Sequence, residues 1–86
     1  MDAQAILIEL QALRSNEPAT AVTRLRELAD ALEQTMSADR SIAPALTHQA
    51  IIYLCEGVES GQNPIEVNRR FTMVTQRAEA WARGSS

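Results

Sequence analysis

N-P-I-E-V-N-R-R-F-T-M-V-T-Q-R-A-E-A-W, residues 63–81, is the stretch on which the fold turns. Asn63 supplies a side chain that caps free helical N–H groups. Pro64 places its ring at the first helical position, where a missing N–H costs nothing. From there Val67, Phe71, Val74, Ala78 and Trp81 recur in alternating steps of four and three residues, the spacing of one helical face. The register does not break between Phe71 and Val74. It therefore predicts one long, continuous helix that ends at Gly84, with residues 83–86 as a frayed tail.

Working back toward the N-terminus, three further helices are expected. The first runs from an Asp2 cap to Leu13, with Ile6, Leu7, Leu10 and Leu13 on one side. After a break at residues 14–18, with Ser15 or Asn16 as cap and Pro18 in the first turn, the second spans Glu17 to Ser37. Its apolar positions are Val22, Leu25, Leu28 or Ala29, Leu32 and Met36, and Arg26 and Asp30 can pair on its outer side. The third is capped by Ser41, carries Pro44 as its third residue and fades at Gly57 to Gly61. Neither a strand pattern nor an internal repeat is present. Short connections between helices of this length favour antiparallel neighbours. The fold class is thus all-α, a single domain over residues 1–86 built as two antiparallel helical hairpins.

Within the third helix Ala50 to Cys55 read A-I-I-Y-L-C. Six consecutive residues of a helix point in every direction, so this apolar collar calls for cover on all sides. Ile51, Ile52, Tyr53 and Leu54 are accordingly expected to bury helix surface against another copy of the chain or a different protein. A homodimer is the simplest form.

The totals agree. A domain of 86 residues has a marginal core unless its helices pack closely, a staple is added or it associates. Cys55 is the sole cysteine and His48 the sole histidine. An internal disulfide is therefore excluded and zinc nearly so. The formal charge of −3 argues against a general polyanion binder. The acids concentrate in residues 1–40, whereas residues 61–86 carry Arg69, Arg70, Arg77 and Arg83. All basic residues are arginine and alanine is abundant, a codon-bias pointer to a high-GC bacterial or phage genome. Asp2 stands where a secretory signal needs positive charge, and no segment reaches the ~20 apolar residues of a membrane span. A soluble, cytoplasmic protein is expected.

Catalytic chemistry finds little to use. His48 and Cys55 lie two helical turns apart, about 10 Å, too far for a nucleophile–base pair. Glu56 and Glu59, and Glu27, Asp30 and Glu33, share helix faces but lack the Glu-x-x-His pairs of metal-binding bundles. No catalytic residue, metal ligand or cofactor is assigned. Trp81, with Arg69, Arg70 and Arg77 beside its stripe, matches the residue types enriched in protein interfaces.

Gly61 to Phe71, followed by Trp81, resembles the helix-turn-helix of transposase-type and regulator DNA-binding domains. That resemblance covers residues 46–83 and implies DNA recognition by residues 61–83, with Thr75, Gln76 and Arg77 reading bases. It departs from the pattern at Thr72, where a turn glycine is usual, and at Asn68, where a small alanine is usual. The expectation carried forward is a non-enzymatic module that binds another protein, such as an adaptor, chaperone or inhibitor. DNA-binding regulation is the alternative.

Overall fold

The computed structural model describes residues 2–15, 17–38 and 42–84, without the side chains of Pro18 and Ala19. Four helices account for nearly all of them: α1 (Ala3–Leu13), α2 (Pro18–Ala38), α3 (Ile42–Glu59) and α4 (Pro64–Gly84). Among the described residues there is no strand.

Each visible helix end has a local cause. Asp2 accepts the Ala5 N–H at 2.9 Å and starts α1; the Ser15 hydroxyl donates back to the Ala12 carbonyl at 2.9 Å. Ser15 therefore closes α1 instead of capping α2. Asn16 and Ser41, the other expected caps, lie outside the described residues. At the end of α3 the Gly61 N–H reaches the Val58 carbonyl and the Gln62 N–H the Gly57 carbonyl, with Gly61 at φ 76°. This is a Schellman stop, which needs a left-handed residue that glycine adopts without strain. Asn63 then accepts the Glu66 N–H at 2.8 Å and opens α4. Arg83 and Gly84 are still helical, so α4 extends two residues into the stretch expected to fray; residues 85–86 lie outside the described residues.

The helices form an up-down-up-down bundle whose closest packing is α3 on α4, α2 on α3 and α1 on α4. Side-chain pairs define the antiparallel directions. Glu9 of α1 meets Arg24 of α2 at 2.8 Å. Arg26 near the start of α2 pairs with Glu59 at the end of α3, and Arg14 at the end of α1 donates to Asn68 and Thr72 of α4 at 3.0 and 2.7 Å. Arg26 thus bridges two helices instead of pairing with Asp30 along its own.

The core combines Ile6, Leu10 and Leu13, then Leu25, Leu28, Ala29 and Leu32, then Ala50, Ile51, Leu54 and Cys55, and the full α4 stripe of Val67, Phe71, Val74, Ala78 and Trp81. Because that stripe is buried in one register, no turn forms at residues 71–74. Thr72 and Thr75 donate their hydroxyls to the Asn68 and Phe71 carbonyls one helical turn back. The helix-turn-helix geometry implied by the resemblance is therefore overturned.

Candidate functional site

The collar residues divide. Ala50, Ile51, Leu54 and Cys55 turn into the core, while Ile52 and Tyr53 stay half-buried on the outer side of α3. This corrects the expectation that the whole collar seeks an outside partner. α2 and α4 pack on α3 and bury its inner side, so Ile51 and Leu54 have no surface to offer. Trp81 is likewise a core residue, closing the bundle end beside Ala82. Of the expected interface residues, Ile52, Tyr53, Arg69 and Arg77 remain on the outside.

These four lie on one continuous face. A groove of about 620 Å³ runs along α3 past Leu46, His48, Gln49, Ile52, Tyr53 and Glu56. It continues onto α4 through a depression of about 220 Å³ between Leu46, Gln49, Tyr53, Met73 and Arg77. A third depression, about 270 Å³, joins Tyr53 to Arg69, Met73 and Gln76. The floor is thus formed by half-buried Leu46, Ile52, Tyr53 and Met73, and the rim by Gln49, Glu56, Arg69, Gln76 and Arg77. Large apolar side chains also stand exposed at the starts of the two helices that form this face. Ile42, at the start of α3, is 72% exposed and Ile65, at the start of α4, is 83% exposed. Helical spacing puts Ile42 on the stripe of Ala45 and Gln49, and Ile65 on the stripe of Arg69 and Met73.

Tyr53 is held in place. Arg70 lies over its ring with the guanidinium carbon 3.8 Å from the ring centre and donates to the Tyr53 carbonyl at 2.8 Å. Arg70 is only 12% exposed and is therefore a positioning residue, not a free cation. Glu66 accepts from Arg70 at 3.0 Å and from Arg69 at 2.7 and 2.9 Å. The hydrogen bonds from Arg69, then those from Arg70, hold the Glu66 carboxyl down to about 2. Two arginines share this single acid, so the end of the face near Tyr53 stays positive. Arg77 and Glu56 are exposed and form no ion pair among the described residues. Arg26 feels the charge of Glu56, but its partner is Glu59.

The remaining reactive groups do not assemble. Cys55 is fully buried, and burial pushes its thiol up, the state of an inert core cysteine. His48 lines the outer groove with its Nε2 3.5 Å from Glu33, an ion pair only when the imidazole is protonated. Among the described residues no three acids, histidines or cysteines gather where a metal ion could bind, and Glu27 and Glu59 are each engaged by an arginine. None of the helices is long and apolar enough to cross a membrane, among the described residues.

Met73, Leu46, Gln49 and Glu56 were not assigned to the site from sequence. Met73 lies off the α4 stripe, two residues beyond Phe71, and an apolar residue off the core stripe was the available signal. Comparison with known families, with curated proteins and with solved structures yields no match for this chain.

Proposed function

We propose that this chain is a non-enzymatic protein-interaction module that binds through the outer face of α3 and α4. The observation that carries it is the run of half-buried Leu46, Ile52, Tyr53 and Met73, rimmed by exposed Glu56 and Arg77, with strongly exposed isoleucines at the starts of both helices. Contiguous exposed apolar surface with a polar rim marks an interaction site on a small domain. A tyrosine already ordered by Arg70 loses little rotamer freedom when a partner covers it, which favours it as an anchor. An adaptor, chaperone or inhibitor of bacterial or phage origin is the functional class that fits.

The test compares the tagged full-length chain with its Ile52→Asp variant in capture experiments treated with nuclease. The proposal expects a stoichiometric protein on the wild type and its loss on a variant of unchanged helicity. Equal capture by both would place binding elsewhere. Material that disappears with nuclease would favour a nucleic-acid target instead.

A further inference from the structure

We infer that the occupant of the α3–α4 face is a second copy of this chain, docked about a two-fold axis near Ile52 and Tyr53. This rests on the proposal that the face binds protein, and it names the partner. The argument is self-complementarity. A two-fold contact brings each patch against its own image, so residues equally far from the axis on opposite sides must suit each other.

Two independent pairs on the face meet that condition. The first is charged. With the axis midway between Ile52 and Tyr53, two antiparallel α3 helices set Glu56 of one copy opposite Gln49 of the other. Arg77 lines the groove beside Gln49 and Tyr53, so the exposed acid of each copy arrives at the exposed arginine of its mate. Within one chain neither group has an ion-pair partner among the described residues. The association supplies both, twice.

The second pair is apolar. Gly57 lies against Arg70, and Ala50 shares a groove with Arg77, which sets the antiparallel register of α3 and α4. Continued along α4, that register carries Ile65 about three residues past Glu59. At a rise of 1.5 Å per residue, Ile42 and Ile65 then stand at similar distances from the axis, each roughly 15 Å. The two-fold brings Ile42 of one copy to Ile65 of the other. The same operation that pairs the charges thus covers two strongly exposed isoleucines.

Charge exchange tests this directly. Sedimentation equilibrium of the full chain is measured for wild type, Glu56→Arg, Arg77→Glu, a mixture of these two variants, and Ile52→Asp, with helicity checked by circular dichroism. The expected result is a wild-type dimer, at least about tenfold weaker association of either charge variant alone, because like charges then face each other twice, and a mixed dimer from the two variants together. In the mixture one copy carries arginine at both positions and the other glutamate at both, so each cross-copy pair is restored. A monomeric wild type would overturn the second copy as occupant while leaving the face open to a different protein. A dimer that Ile52→Asp breaks but the mixture does not rebuild would overturn the Glu56–Arg77 register. A dimer indifferent to every variant would overturn both this inference and the assignment of the face.

Discussion

Arg70 reaches Tyr53 by crossing the bare backbone of Gly57. A β-carbon at residue 57 would come within 2.7 Å of the Arg70 Nη1 and 2.8 Å of its Cδ. A glycine inside a helix costs roughly 1 kcal/mol relative to alanine, and here that absence of a side chain is the channel through which α4 orders a side chain on α3. Gly57→Ala therefore sets a gain in helix propensity against loss of the stacked guanidinium. The expected outcome is a melting temperature within a few degrees of wild type, at about 1 kcal/mol or less of net change. The Tyr53 ring-proton NMR shifts should nevertheless move as Arg70 is displaced.

Removing the arginine itself has no such compensation. Arg70→Ala deletes a ring contact, a hydrogen bond to the Tyr53 carbonyl and the link to Glu66. A stability loss on the order of 1–2 kcal/mol is expected in urea denaturation, together with a more mobile Tyr53 ring.

The arginine clamp depends on pH through Glu66. Its folded carboxyl is held at about 2, below the ordinary value of 4.5. A depressed acid contributes stability that is fully present above the unfolded value and is lost as pH falls through the folded one. The contribution should therefore fade between 4.5 and about 2. Wild type should melt above Glu66→Gln at neutral pH, and the gap between them should shrink across that acidic window. A gap that stays constant would show that Glu66 acts there only through packing.

At the α3–α4 corner, Gly61 at φ 76° is the residue that stops α3. A β-carbon in that left-handed conformation costs roughly 1–2 kcal/mol. Gly61→Ala should lower the urea midpoint accordingly. Gly84→Ala, where nothing among the described residues stands within 4 Å of the added carbon and φ is not positive, should leave it unchanged.

Adjacent residues of α3 should respond oppositely to the same change. Ile51 is fully buried and Ile52 is half-buried on the outer face. Ile51→Asp leaves an unpaired carboxylate in the core, a penalty on the order of several kcal/mol, and should abolish the cooperative melt. Ile52→Asp should keep the helical spectrum and lose association.

Much of this fold is legible in the residues because its determinants are local. Asp2 and Asn63 cap the helices they precede, Pro18 and Pro64 stand at the first helical positions, and Gly61 ends α3. Those effects act within a turn of chain, so reading along the sequence finds them. The α4 stripe is equally legible, since a single row of apolar residues in one register leaves only one face to bury. Where two candidates compete, sequence does less well. Arg26 has Asp30 one turn away but pairs with Glu59 across a helix boundary, a partner that periodicity cannot supply.

Four helices, the Asp2 and Asn63 caps, the Gly61 stop and the continuity of α4 follow from the residues alone, because capping, proline geometry and a 3.6-residue period are properties of neighbouring residues. Which side of α3 lies inside depends on packing between helices. Ala50 to Cys55 are apolar all round, so periodicity offers no choice between Ile51 and Ile52. The choice falls to α2 and α4, which close over Ile51, Leu54 and Cys55 and leave Ile52 and Tyr53 facing out. Burial is settled by what packs against a residue, and for this helix that is set by two other helices and an arginine seventeen residues from Tyr53.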